Sequence, residues 1–137
     1  RQLSDNKGQK FPDFENLSEK WATGAEYIAL YPNVLLGVHR DHAYAIILLP
    51  VSFSETIENV HIYYSKPYVS PSLKKKNKDQ WKEVFEEDIF VVEGMQAGRL
   101  GVQFDGGRFS PQMDEPTHCF HDWVAREVSR FRKQNLT

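Results

Sequence analysis

The chain has 137 residues, of which 40% are hydrophobic, 13% aromatic and 26% charged, a globular composition that excludes a disordered, collagen-like or coiled-coil chain. The formal net charge of −2 lacks the basic excess of a general nucleic-acid-binding protein, and the single cysteine excludes a disulfide framework or a cluster site built from several thiolates. No apolar run reaches the roughly 18 residues of a membrane span, so we expect a soluble, cytoplasmic domain.

The first half of the chain is predicted to form an arm followed by four strands. Residues 1–24 are polar and irregular, which predicts a peripheral arm, loop or short helix with Phe11 among its few apolar anchors. The chain starts with Arg1 instead of Met, so we expect it to be part of a longer protein. Alternating and apolar runs predict strands at residues 26–30, 34–39, 42–51 and 56–64. The short links between them favour an antiparallel meander.

The second half is predicted to be helical. Residues 66–80 contain two prolines and a lysine cluster and are predicted to be a solvated loop. Helical periodicity follows from about Lys78 to Gln96, and again from Thr117 to about Lys133 after a Gly- and Pro-rich loop at 98–116. Strands followed by helices predict an α+β fold, an antiparallel sheet with a long helix packed on one face.

One acidic residue of the first helix lies on the wrong face. At about 100° per residue, Asp88 falls near the centre of an apolar stripe, whereas four glutamates fall on the opposite side. The stripe consists of Trp81, Val84, Phe85, Val92 and Met95. A carboxylate in apolar surroundings needs an ion pair, hydrogen bonds or a metal. Geometry leaves two interpretations open: a buried salt bridge or backbone hydrogen bond, and a metal-binding or catalytic group.

The histidines and the cysteine favour ordinary structural roles. His39 and His42 flank a predicted tight turn at Arg40 and Asp41, and we expect their side chains to diverge into solvent. His118 and His121 share one helical face, where packing or capping is favoured over a zinc site because no four-ligand set accompanies them. Cys119 is expected to be a small buried hydrophobic residue.

The region from Trp81 to Trp123 resembles the C-terminal part of the catalytic domain of Rieske non-haem iron oxygenase alpha subunits. The order and spacing of several short motifs carry this resemblance, which covers roughly residues 25–130. The motifs are Tyr31-Pro32-Asn33-Val34-Leu35, Leu48-Leu49-Pro50, Glu87-Asp88-Ile89 with Glu93, Gln96 and Gly98, Gly107-Arg108-Phe109-Ser110-Pro111, and His118-Cys119-Phe120-His121-Asp122-Trp123.

The resemblance implies a helix-grip, START-like fold, of which residues 25–137 would be the C-terminal portion. It implies a mononuclear Fe(II) held by two histidines and a carboxylate. Asp88 matches the carboxylate ligand of the family's motif. It further implies a substrate pocket whose wall includes Asn33, Val84 and Val92, although plain core packing is an open alternative for these three residues.

The family's remaining parts have no match here. No residues match the ligands of a Rieske 2Fe-2S cluster, and none of the five histidines has the His-X4-His spacing of the iron ligands. We therefore expect both sets in an N-terminal part of the parent chain, and we expect this segment alone to be inactive. The family's enzymes hydroxylate, dihydroxylate or oxidatively demethylate aromatic or quaternary-amine small molecules. They work as homotrimers, with O₂ and with electrons from NAD(P)H delivered by a reductase or ferredoxin.

Two other hypotheses come from different classes of protein. A non-enzymatic START-like carrier would hold an apolar ligand without metal and would leave Asp88 without an obvious role. A structural or interaction domain would pair Asp88 in a buried salt bridge, with Arg99 or Arg126 as candidate partners.

Overall fold

A computed structural model of the protein describes residues 10–135. A short 3-10 helix at Glu19–Ala22 precedes four strands, β1 (Glu26–Leu30), β2 (Val34–Val38), β3 (His42–Pro50) and β4 (Thr56–Tyr64). Two helices follow, α1 (Pro71–Arg99) and α2 (Glu115–Asn135). The chain divides into two compact units, one ending at Val91 and the other starting at Val92. Within the described part of the chain, no helix combines the length and apolar character needed to cross a membrane.

The four strands form one antiparallel sheet in the order β1-β2-β3-β4. The predicted α+β class and the meander are therefore confirmed, and β2 and β3 each end one residue earlier than predicted. One row across the sheet joins Tyr27, Gly37, Tyr44 and Ile62, so these residues share a face. On β3, His42, Tyr44 and Ile46 alternate as buried residues, which identifies this face as the packed one.

The described part of the arm is attached to the β2–β3 turn and to β4. Phe11 is buried and stacks on Tyr64, with ring centroids 5.1 Å apart. The Arg40 guanidinium pairs with the Asp13 carboxylate through two nitrogens, and the Arg40 carbonyl accepts a hydrogen bond from the Phe14 N–H at 2.8 Å. These contacts place Phe11 in the core. Residues 1–9, which belong to the predicted arm, lie outside the described residues.

Helix α1 begins earlier than predicted. Pro71 occupies its first position, where the missing proline N–H costs no helical hydrogen bond. The lysine cluster at 74–78 therefore lies on the first turns of a helix, and the prediction of a loop there is wrong. Leu73 and Asn77 are buried on this part of α1, and Lys75 pairs with Asp79 one turn later. The sequence does not indicate a helix here, because only one residue in four, Leu73 and then Asn77, is buried and the others are mostly polar.

The second unit contains the end of α1, an irregular segment and α2. The predicted irregular loop between the two helices is confirmed, and α2 extends two residues beyond the predicted helix at each end. The Asp114 carboxylate accepts the backbone N–H of Ser110 at 2.7 Å, just before α2 begins. The Asp114 carbonyl accepts the His118 N–H at 2.8 Å, which connects the loop to the first turn of the helix.

Candidate active site

Asp88 is the eighteenth residue of α1, in a part of the helix that contains no buried residue. Every residue from 86 to 99 is exposed, so the prediction that Asp88 is buried is wrong. The helical period still relates Asp88 to the sheet-facing side, because it lies two turns after Trp81, whose ring contacts Tyr44 of the sheet. Burial is the main cause that raises the pKa of Tyr44 above its ordinary value, and Tyr27 and Asp88 raise this pKa further.

Tyr44 and two aromatic residues of α1 form an aromatic cluster beside Asp88. The Tyr44 ring meets Trp81 edge-on with centroids 4.6 Å apart, and it meets Phe85 in the same way at 5.4 Å. Trp81 and Phe85 stack at 5.5 Å, one helical turn apart. Gly37 allows this arrangement, because a Cβ atom there would lie 2.3 Å from the Tyr44 ring. The absence of a side chain at Gly37 therefore determines where Tyr44 lies.

A chain of two hydrogen bonds, one buried and one partly buried, connects the β2–β3 turn with α1. The indole N–H of Trp81 donates to Nε2 of His42 at 2.8 Å, and Nδ1 of His42 lies 2.6 Å from a carboxylate oxygen of Asp41. Because an indole nitrogen only donates, His42 Nε2 must be the acceptor and Nδ1 must carry the proton given to Asp41. Asp41 is 5% exposed and His42 is 8% exposed. The bond between His42 and Asp41 is thus shielded from water, which strengthens it, whereas the Trp81 indole is half-buried.

His39 lies against this chain. Its ring stacks on His42 with centroids 4.8 Å apart and an interplanar angle of 1°. The prediction that the two histidines diverge into solvent is wrong, because residues on either side of a two-residue turn are cross-strand neighbours on one face. His39 Nε2 is buried and has no hydrogen-bond partner among the described residues. Burial, followed by the nearby His42, lowers the pKa of His39, although Asp41 acts in the opposite direction.

Two openings lie beside this site in the first unit. The first, of about 480 Å³, is bordered by the arm, the β2–β3 turn and α1, with His39, Arg40, His42, Gln80 and Trp81 in its wall. The second, of about 570 Å³, lies between β4 and α1 and is termed here the β4–α1 cleft. Its apolar lining comes from Val60, Ile62, Phe85 and Ile89, and its polar rim includes lysines of α1.

The three residues expected in a pocket wall are not brought together around either opening. The Asn33 side-chain amide donates to the Leu48 carbonyl at 2.9 Å, and the Asn33 carbonyl accepts the Leu48 N–H at 2.9 Å. Asn33 thus links the start of β2 with β3. Val84 is 38% exposed and Val92 is 62% exposed, so neither is packed in a core.

The second unit shows packing instead of a metal site. Phe109 contacts the rings of His118 and His121 edge-on, each with centroids 5.1 Å apart. Both histidines therefore make packing contacts, as the sequence favours. Cys119 is exposed, so the prediction that it is buried is wrong. Across residues 10–135, no group of three or more His, Cys, Asp or Glu side chains could hold a metal ion.

The ion pairs of the described residues also bear on the structural-domain hypothesis. Arg126, one of the two candidate partners of Asp88, pairs with Asp122 on its own helix at 2.5 Å. The ion pairs within α1 are Lys75 with Asp79 and Lys82 with Glu86. None of the ion pairs observed among residues 10–135 involves Asp88.

Comparison with known proteins decides the family. Residues 2–130 match the family described as the ring hydroxylating alpha subunit (catalytic domain). The chain belongs to this family. The resemblance to Rieske oxygenase alpha subunits is therefore confirmed. A curated relative, putrescine 2-hydroxylase from Ralstonia nicotianae, is 27% identical over 109 residues, which cover 75% of this chain and 30% of the relative. No solved structure matches the chain.

A mononuclear iron ion, which this family implies, fits the described residues only in part. Asp88 offers an accessible carboxylate, which is a suitable iron ligand. No histidine pair accompanies it in a three-ligand group within residues 10–135. Among residues 10–135, Asp88 is therefore a candidate for a single ligand, without histidine ligands beside it.

Proposed function

We propose that this chain forms part of the catalytic domain of a Rieske-type oxygenase, in which Asp88 is the carboxylate ligand of a mononuclear Fe(II). The supporting observation is the place of Asp88 in a confirmed family member: its carboxylate is accessible and acts on Tyr44 of the packed sheet face. Two histidines from the remainder of the protein complete the ligand set in this proposal. Iron held by these three ligands would supply open positions for O₂ and substrate.

The chain's own residues would hold the carboxylate and shape a substrate pocket. Trp81, Phe85 and Tyr44 support the helix beside Asp88. Val84 and Val92, one turn before and one turn after Asp88, are proposed as apolar pocket walls, and their exposure leaves them available for this role. Asn33 is proposed to shape the pocket indirectly, since its amide N–H is already donated to Leu48.

The reaction is proposed to be hydroxylation of a small molecule. The intact enzyme would take electrons from NAD(P)H through a reductase or ferredoxin and a Rieske 2Fe-2S cluster, and it would assemble as a homotrimer. Dihydroxylation and oxidative demethylation belong to the same class of chemistry, and aromatic and quaternary-amine compounds are candidate substrates. The putrescine 2-hydroxylase relative adds aliphatic amines to the compounds to be screened.

The test is the Asp88→Asn variant of the intact protein. Because the amide is a neutral and weaker ligand, we expect mononuclear iron content to fall by at least tenfold and hydroxylation to be lost, with the cluster and the assembly retained. Glu87→Gln is the matched control, since Glu87 is an exposed acid on the adjacent position of the same helix, and it should keep its iron. Full iron content in Asp88→Asn would refute the proposal.

A second candidate function is a non-enzymatic carrier of an apolar ligand. The observation that favours it is the β4–α1 cleft, whose volume of about 570 Å³ suits a small molecule. Titrating the iron-depleted intact protein with a fluorescent apolar probe tests this function. Tight binding that Ile62→Asp abolishes, in a protein that neither holds iron nor hydroxylates any screened compound, would favour the carrier.

A further inference from the structure

We propose that the Asp41–His42–Trp81 hydrogen-bond chain is a positioning device that sets the rotation of α1 and thereby the location of the Asp88 carboxylate. This inference rests on the proposed role of Asp88, and it assigns the three residues a function that packing alone does not require. The hydrogen bonds join two fixed points, the β2–β3 turn and the middle of α1.

Helix geometry connects Trp81 with Asp88. The two residues are seven positions apart, which is about 10 Å along the axis and about 20° short of two full turns. They therefore lie on one face of the helix, the face on which the Trp81 ring contacts Tyr44. After Phe85 no residue of α1 is buried, so Trp81 and Phe85 are the last points at which the sheet holds the helix before Asp88.

The hydrogen bonds add direction to this attachment. The edge contacts of the Tyr44 ring with Trp81 and Phe85 tolerate sliding and small rotations of the helix. The Trp81 N–H must instead point at one atom, His42 Nε2, and the Asp41 carboxylate fixes the orientation of the His42 ring. The turn that carries Asp41 and His42 is held in its own right, since the His39 N–H donates to the His42 carbonyl at 2.9 Å.

Loss of the Asp41–His42–Trp81 hydrogen-bond chain would have different effects under a positioning role and under a purely structural role. A hydrogen bond that only stabilised the fold would change thermal stability without a specific effect on a ligand two turns away. A bond that sets helix rotation would change the affinity for the metal even in a fully folded protein. This difference separates the positioning role from a structural one.

The experiment measures binding of Fe(II) alone to the iron-depleted intact protein, by competition with a chelator. Trp81→Phe removes the N–H but keeps an aromatic ring, and we expect its iron affinity to fall about tenfold with a melting temperature within a few degrees of wild type. Trp123→Phe in α2 is the matched control and should stay within twofold. Equal affinities of Trp81→Phe and wild type would overturn the proposal.

A second pair of variants keeps the test decisive if Trp81→Phe folds poorly. His42→Gln and His42→Met have side chains of similar length, but Gln offers a strong carbonyl acceptor for the Trp81 N–H and the Met sulfur only a weak one. We expect His42→Gln to bind iron several-fold more tightly than His42→Met, and equal affinities would overturn the proposal. The Asp88→Asn variant distinguishes the two proposals. If Asp88→Asn keeps full iron affinity, the proposed function fails. If Asp88→Asn loses iron affinity while Trp81→Phe keeps it in full, the positioning role alone is refuted.

Discussion

Replacing Gly37 by alanine should destabilise the protein through a single steric conflict. The added Cβ would lie 2.3, 2.5 and 2.7 Å from three atoms of the Tyr44 side chain, where ordinary contact begins at 3.4 Å. The ring would have to move by about 1 Å, since the clash is with a buried side chain and not with a flexible surface group. Overpacking of this kind costs about 1–3 kcal/mol.

Tyr44 cannot give way without losing other contacts. Its ring is held edge-on by Trp81 and Phe85, so a shift away from Gly37 presses it against α1. We therefore expect the melting temperature of the intact protein to fall by about 3–10 °C in Gly37→Ala, measured by circular dichroism or calorimetry.

The matched control makes the same chemical change where space is free. Nothing lies within 4 Å of a Cβ built at Gly94 on the exposed part of α1, so Gly94→Ala should leave stability unchanged or raise it by about 0.5–1 kcal/mol. Combining Gly37→Ala with Tyr44→Leu removes the conflicting ring, and the double variant should lose less than the sum of the single variants. Strictly additive losses, or equal effects of Gly37→Ala and Gly94→Ala, would refute the steric explanation.

The remaining predictions concern His39 and Asn33. The pKa of His39 is lowered below 6.5 in the folded protein, so its contribution to stability is complete above that pH and is lost as the pH falls through the folded-state value. Urea unfolding of the intact protein between pH 5 and 8 should show this loss, and His39→Gln should flatten the profile; an unchanged slope would contradict the assignment. Asn33→Ala should lower the free energy of unfolding by about 1 kcal/mol because the Leu48 carbonyl loses its amide donor. A raised KM at unchanged stability would instead show that Asn33 contacts substrate.

The sheet could be predicted from the sequence because its signals are local. Each strand has a short apolar or alternating run, and each link is too short for anything but an antiparallel neighbour. The start of α1 could not be predicted in this way, because only Leu73 and Asn77 of its first turns are buried and many of their neighbours are lysines. Composition there resembles a solvated loop, and the decisive information is tertiary contact with the sheet.

The candidate site was only partly predictable for a related reason. The helical period places Asp88 on the correct face, but it does not indicate that burial on α1 ends before Asp88 is reached. The stacked His39 and His42 could have been recognised from turn geometry, because residues flanking a two-residue turn share a face. The bond from His42 to Trp81 joins residues 39 positions apart, and no local pattern indicates it.

Helix α1 therefore has a fixed part and an accessible part, and Asp88 lies just inside the accessible one. The first turns are held by Leu73, Asn77 and the contacts of Trp81, whereas everything beyond Phe85 is exposed. A metal ligand needs both properties, because its position must be set before the metal binds and its oxygen atoms must remain reachable. A carboxylate earlier in the helix would lie among the rings of Trp81 and Phe85, and one further along would lie farther from the turns that contact the sheet. In the proposed iron site, Asp88 would meet both requirements, because its carboxylate is accessible and it lies three residues after Phe85, which contacts Tyr44 of the sheet.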